Sequence, residues 1–286
     1  MTLPNYLLIG AQKCATSSVC AVLGRHPDVF MCEPKEPFFF SHDEVFAKGL
    51  GWYESLFANA GDAKAIGEGS TTYTQPTLYP HALERVHARL PDAKLIYIAR
   101  EPLARIVSHY LHFAGRGGRE TRPLSRAVRE APWYIDNTLY HQQVSMYLEK
   151  YPRERVLGLF FEDFQRDPDA VARRCFEFLG VDPAAPLRYD GERMNASEGA
   201  RVDTGLTRAL RRVPGFDALR DLAPSGMRSA VRGVLKKKVE RRPEWDAPTE
   251  AWALERVLDD SEAYCEMWGK PRDFWKVRER LDRLRA

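Results

Sequence analysis

Two stretches of this 286-residue chain have the residue types and spacing to hold anions. The first is "IGAQKCATSSVC", from Ile9 to Cys20. An apolar run closes on Gly10, Lys13 follows, and Thr16-Ser17-Ser18 open an apolar helix. Backbone N–H groups in the first turn of a helix lack helical partners and favour an anion ahead of them. Three hydroxyls and an ammonium strengthen that preference. The second stretch is "REPLARIVSHY", Arg100 to Tyr110, in which a guanidinium follows an apolar run and Ser108 lies eight positions on. A third stretch, "PKEPFFF" (Pro34–Phe40), sets the carboxylate of Glu36 beside Lys35, Pro37 and three phenylalanines. Such a carboxylate is expected to be partly desolvated, which suits it to take a proton near neutrality.

The order of residues in the first stretch matters. A triphosphate-binding loop of the form GxxxxGK[ST] has its lysine after the glycines and a hydroxyl placed for magnesium. Here the lysine precedes the hydroxyls by three residues with no glycine beside it. No strand ends in a convincing metal-binding aspartate, and "IYIAR" ends in a base. A second cation in that place suggests a substrate with a second phosphate and no metal.

The elements that must position these groups follow from the apolar pattern. Short apolar runs predict strands at Asn5–Gly10, Asp28–Cys32, Ala65–Gly69, Lys94–Arg100 and Arg155–Asp163. Helical spacing predicts helices at Thr16–Leu23, Leu78–Leu90, Pro102–Ala114, Tyr140–Tyr151, Ala170–Leu179 and roughly Thr249–Met267. Strands alternating with helices imply an α/β fold with a central, mostly parallel sheet. Ligands of such folds sit at the carboxyl ends of the strands. Lys13, Lys35, Glu36, Ser70 and Arg100 all fall just after predicted strands, so they are expected on one sheet edge. Val181–Gly205 reads as a long loop. Basic residues dominate Arg208–Arg242, and Lys236–Lys238 reads as a solvated helix face. The whole is expected to be one domain, 1–286, with a core over about 1–180 and a C-terminal extension packed on it.

Composition narrows the class. Charged residues are 29% and hydrophobic ones 44%, as in globular chains with a sizeable core. A formal net charge of +3 is too small to argue for a nucleic-acid partner. The five cysteines are odd in number and unpaired in spacing, which reads as reduced thiols in a cytoplasmic protein. No apolar run approaches the ~20 residues of a membrane helix, so stable membrane insertion is not expected.

Taken together, these motifs resemble the sulfotransferases that use 3'-phosphoadenosine 5'-phosphosulfate (PAPS), specifically the heparan-sulfate-type branch and its bacterial relatives. The resemblance spans roughly Tyr6 to Gly180. "LLIGAQKCATSSV" is similar to the family's 5'-phosphosulfate loop, although Ala15 stands where a glycine is usual. Alanine is small enough for close backbone approach but takes a positive φ only at a cost. "REPLARIVSHY" is similar to the 3'-phosphate motif, and "PKEPFFF" and "GLGWY" (Gly49–Tyr53) also have counterparts in the family.

The resemblance implies a three-layer α/β/α architecture like that of P-loop NTPases. It implies PAPS as cofactor, 3',5'-ADP as product and no metal. Lys13, Cys14, Ala15, Thr16, Ser17 and Ser18 would hold the 5'-phosphosulfate, and Arg100 and Ser108 the 3'-phosphate. Arg201, in the segment that closes over the nucleotide, would assist. Glu36 would be the general base and Lys13 would stabilise the leaving oxygen. Lys35, Trp52, Tyr53, Tyr73 and Phe113 are candidates for the acceptor pocket. A histidine base, His42, His109 or His112, is the rival to Glu36. The acceptor would be a hydroxyl or amine of a saccharide, lipid or small metabolite. Two other readings stay open at this point: a nucleotide kinase or NTPase, and a non-catalytic anion- or membrane-binding protein using Arg208–Arg242.

Overall fold

The computed structural model describes residues 2–115, 119–187, 201–203, 236–238 and 243–286. Its centre is a five-stranded sheet made of β1 (Tyr6–Gly10), β2 (Val29–Met31), β3 (Ala65–Glu68), β4 (Lys94–Ala99) and β5 (Val156–Phe160). The strand order is β2-β3-β1-β4-β5, and every pairing is parallel. All five residues of β1 and of β5 are buried, as expected for parallel strands covered on both faces.

The chain leaves β1 toward β2 on one side and leaves β4 toward β5 on the other. The carboxyl ends of β1 and β4 therefore flank a switch point, the place where open parallel sheets bind ligands. Gly10 closes β1 there, where a Cβ would strike Thr74 Oγ1 and the ring of Tyr97. Only glycine fits this crossing of backbone and side chains.

Helices cover the sheet. α1 (Thr16–Leu23) follows β1, α2 (Asp43–Phe46) and α3 (Leu50–Ser55) lie between β2 and β3, and α4 (Ala82–Arg89) precedes β4. α5 (Pro102–Gly115) leaves β4, and α6 (Leu124–Glu130), α7 (Trp133–Asp136) and α8 (Tyr140–Leu148) lead to β5. α9 (Phe161–Arg166) and α10 (Pro168–Leu179) follow it. α5 starts sharply: Pro102 occupies its first turn, and the Glu101 carboxylate accepts from Leu103 N (3.1 Å) and Ala104 N (2.6 Å).

Beyond these, β6 (Arg201–Asp203) pairs antiparallel with β7 (Lys236–Lys238), and β6 lies against α5. The expected helix face at Lys236–Lys238 is thus a strand, and the expected loop Val181–Gly205 ends in one. The rest of 188–200, 204–235 and 239–242 lies outside the described residues. α11 (Ala247–Met267) and α12 (Val277–Arg285) complete the chain. Leu254, Val257 and Tyr264 of α11 belong to the same core as the sheet. Tyr264 donates to Leu159 O (3.1 Å), and Trp268 lies flat over Gly158 of β5, where a Cβ would strike the indole. α11 is therefore a wall of the core.

Candidate active site

The loop after β1 carries three features of an anion cradle. The start of α1 has no side-chain cap and no acidic residue in its first turn. Thr16 is buried, Ser18 half-buried and Ser17 exposed at that start. Lys13, half-buried, directs Nζ to His112 Nδ1 on α5 at 3.2 Å. Cys14 departs from the expectation that it holds the anion. Its N–H closes a turn on Ala11 O (3.3 Å), and its thiol is buried, with burial pushing it up to about 12.

Backbone conformation marks the same place. Lys13 (φ 72°) and Ala15 (φ 67°) both adopt the left-handed region that glycine usually takes. Each costs on the order of 1 kcal/mol. Ala15 thus takes the positive φ that the sequence reading marks as costly for alanine, and the surrounding fold imposes it. Glu36 (φ 60°) and Phe38 (φ 61°) do the same in the loop after β2. Four of the five positive-φ non-glycine residues described, Lys276 being the other, thus lie in two loops at one sheet edge.

Arg100 directly follows β4, the strand adjacent to β1, so it emerges at the same edge as Lys13. Its guanidinium stacks over Phe161 at 4.3 Å, and its carbonyl accepts from Tyr140 OH at 2.8 Å. Among the described residues no carboxylate pairs with it. The neighbouring acids are otherwise engaged: Glu101 caps α5, and Glu162 Oε1 accepts from Glu101 N at 2.8 Å. Ser108 is half-buried two turns along α5. Between them Arg105 is fully buried, donating to Tyr134 O (2.6 Å) and contacting His109 Nδ1 (3.3 Å). The site is thus cationic at Lys13, Arg100 and Arg105, and among the described residues no acidic side chain is ion-paired to Arg100 or Arg105.

The third component is a pair of loops joined by hydroxyls. The loop after β2 is fastened to Ser70–Tyr73, which follow β3. Phe38 N donates to Ser70 Oγ (3.2 Å), and Thr71 Oγ1 donates to Glu36 Oε1 (3.2 Å). Ser41 and Thr72 hydroxyls meet at 2.7 Å, and Phe40 N donates to Tyr73 OH (3.4 Å). Lys35 Nζ donates both to Glu36 Oε1 (3.0 Å) and to Gly69 O (3.2 Å). Glu36 therefore sits at the sheet edge, 30% exposed, held by an ammonium and a hydroxyl.

This corrects the expectation that phenylalanines desolvate Glu36. Phe39 and Phe40 point into the core, Phe39 stacked on Tyr53 at 4.4 Å, and Phe38 packs on His42 at 4.8 Å. Two acceptor-pocket expectations are corrected as well. Tyr53 and Tyr73 are buried, and both hydroxyls donate to Glu68 Oε1, at 3.3 and 2.5 Å. They are core residues that hold a buried carboxyl. Trp52 is half-buried under Lys48 (4.4 Å), and Phe113 is half-buried beside His109 (4.9 Å) and His112 (5.8 Å).

Of the rival bases, His109 is buried and held down to about 2, first by burial and then by Arg105. His42 contacts Ser41 Oγ (2.9 Å) and stacks on Tyr79. His112 contacts Lys13.

Glu68 was missed at the sequence level: one acid at the end of a short strand carries no signal of its own. Burial pushes its carboxyl up to about 7, against 4.5 for the free group. Between those values the native chain holds a proton that the unfolded chain has lost. Raising the pH through that window therefore weakens the fold, by on the order of 1.4 kcal/mol per unit, and the loss is complete above about 7. Glu68→Gln keeps an oxygen for both tyrosines and has no proton to lose. We expect it to flatten the decline in chemical-denaturation stability from pH 5 to pH 8. Equal slopes in variant and parent would clear Glu68 as the cause.

With this geometry in place, comparison with known proteins identifies the class. The chain belongs to the sulfotransferase domain family, whose model matches residues 3–195. It is 29% identical over 185 residues to the human (Homo sapiens) heparan sulfate glucosamine 3-O-sulfotransferase 6, covering 62% of this chain and 52% of that protein. It is 26% identical over 249 residues to the bifunctional heparan sulfate N-deacetylase/N-sulfotransferase 2 of Bos taurus, covering 76% of this chain and 27% of that one. The chain thus spans about half the length, or less, of these curated relatives. In fold it matches the crystal structure of a sulfotransferase from Alicyclobacillus acidocaldarius, with a TM-score of 0.69, 23% identity, and coverage of 96% and 100% of the two chains. The central parallel sheet flanked by helices is the family's sheet.

Proposed function

We propose that this chain transfers a sulfuryl group from PAPS to an acceptor hydroxyl or amine, without a metal. The observation that carries this reading is the convergence of Lys13, Arg100 and Glu36 at the carboxyl edge of β1, β4 and β2. Two cationic loops on adjacent strands suit a nucleotide phosphorylated at both ends. The relatives' names, a heparan sulfate glucosamine 3-O-sulfotransferase and a heparan sulfate N-deacetylase/N-sulfotransferase, support the same reaction. The sheet with its loop-to-helix anion cradle supports a kinship with P-loop NTPases, with the lysine displaced.

Bound PAPS would supply the sulfuryl group on a phosphosulfate anhydride and depart as 3',5'-ADP. Thr16, Ser17, Ser18 and the N–H groups at the start of α1 would receive the 5'-phosphosulfate. Lys13 would neutralise the charge that grows on the departing phosphate oxygen. Arg100 and Ser108 would hold the 3'-phosphate, with Arg201 of β6 beside α5 as a further cation. Glu36 would take the acceptor's proton while Thr71 and Lys35 fix its orientation. Catalysis is then positioning plus electrostatic stabilisation. Among the described residues no three of His, Cys, Asp and Glu converge as a metal cluster. Trp52, Phe113 and Lys35 remain candidates for contacts with a saccharide or small-metabolite acceptor. The reading takes 1–286 as a single domain acting in the cytoplasm.

Arg100→Ala is expected to weaken 3',5'-ADP binding at least tenfold in calorimetry, since a charge-assisted phosphate contact is lost. Equal affinity in variant and parent would remove the 3'-phosphate site. The kinase alternative predicts instead that MgATP raises the melting temperature more than 3',5'-ADP does.

A further inference from the structure

We infer that Glu68 is a positioning residue for Glu36: its buried carboxyl holds, through Tyr53 and Tyr73, the loop that carries the base. The inference rests on the sulfotransferase reading and extends it. Glu36 (φ 60°) and Phe38 (φ 61°) both take the left-handed region. Residues so placed persist only where their surroundings over-determine them. Before and within this turn the loop is held by Lys35 on Gly69 O and by Phe38 N on Ser70 Oγ. After it the loop is held at Phe39 and Phe40, and both of those holds lead to Glu68.

Tyr53 lies flat on Phe39, with ring centroids 4.4 Å and planes 10° apart, and meets Phe40 edge-on at 5.1 Å. Tyr73 meets Phe40 at 5.6 Å, and its hydroxyl accepts from Phe40 N at 3.4 Å. Each tyrosine hydroxyl gives its single proton to Glu68 Oε1, at 3.3 Å from Tyr53 and 2.5 Å from Tyr73. That fixes the sense of the Tyr73 hydroxyl: with its proton directed at Glu68, a lone pair is left to face Phe40 N. An apolar side chain at position 68 would leave two buried hydroxyls without an acceptor and free Tyr73 to turn. Glu68 itself is fully buried at the end of β3, and its Oε2 has no partner among the described residues. So costly a core group is not explained by packing. It is explained by the two tyrosines that it orients against the base loop. The consequence is kinetic, since a displacement of about 1 Å at a reacting group costs up to about 100-fold in rate.

The test uses hydrolysis of radiolabelled PAPS, in which water stands in for the acceptor and gives its proton to Glu36. Tyr73→Phe cuts the link between Glu68 and Phe40 and keeps the ring. It is expected to lower kcat about tenfold, to leave the calorimetric affinity for 3',5'-ADP within about threefold of the parent's, and to speed amide exchange at Phe40 in the free protein about tenfold. Glu68→Gln supplies an oxygen to both hydroxyls and is expected to stay within about threefold of the parent in all three measurements, whereas Glu68→Met should behave as Tyr73→Phe does or worse. The decisive arm is the Glu36→Gln background, where Tyr73→Phe should lower the residual rate less than about twofold, because the base it positions is already gone. An equal loss in both backgrounds would overturn the inference and make the network packing only. So would parental turnover in Tyr73→Phe, or loss of 3',5'-ADP affinity in step with kcat. A parent that transfers no sulfuryl group from PAPS would sink the sulfotransferase reading and the inference together; an active parent indifferent to Tyr73→Phe would sink the inference alone.

Discussion

Lys13→Ala is expected to lower the rate of sulfuryl transfer from PAPS by about 100-fold or more, the scale of losing one group that stabilises a developing oxyanion. The structure makes this an informative substitution. Lys13 sits at φ 72°, and alanine carries the same Cβ as lysine, so the backbone strain is equal in variant and parent. The loop fold, the start of α1 and the thermal stability should survive. What disappears is the ammonium between the loop and α5. Radiolabelled sulfuryl transfer, to water or to a saccharide acceptor, gives the rate directly. A variant within threefold of the parent would show that Lys13 does not stabilise the leaving phosphate.

Glu36→Gln carries the second large effect, a fall in kcat of about 100-fold or more, because an amide cannot accept the acceptor's proton. The variant should still fold. Its amide oxygen can receive the Thr71 hydroxyl that now donates to Oε1, and the loop remains fastened through Ser70–Phe38, Thr72–Ser41 and Tyr73–Phe40. Affinity for 3',5'-ADP should stay near the parent's, which separates loss of the base from loss of the site. Near-normal turnover in Glu36→Gln would return the search to another base. Among the histidines weighed, His42 and His109 are held against other side chains.

The groups that the sequence exposed are those fixed by local order. β1 and α1 were legible because an apolar run, a glycine and three hydroxyl residues lie within nineteen consecutive positions, about the span of one strand–loop–helix unit. The predicted fifth strand was too long: "FFED" continues an apolar run, but the chain turns into α9 at Phe161. Short helices such as α2, α6 and α7 span too few residues for a periodic pattern to emerge. Least legible were the contacts that orient the site. The pairing of residues 36–41 with 70–73, Tyr53 on Glu68, and His112 on Lys13 join residues distant in sequence. A run such as "STTY" shows hydroxyls, but only the fold shows what they hold. The same holds for Ala15: its side chain predicted resistance to a positive φ, and the surrounding packing overrides that preference.

The most direct single measurement is a crystal structure of the protein with 3',5'-ADP. The account predicts the 5'-phosphate at the start of α1 within hydrogen-bond reach of Lys13, and the 3'-phosphate against Arg100 and Ser108. A nucleotide bound with its 3'-phosphate away from Arg100, or with its 5'-phosphate away from Lys13, would contradict it.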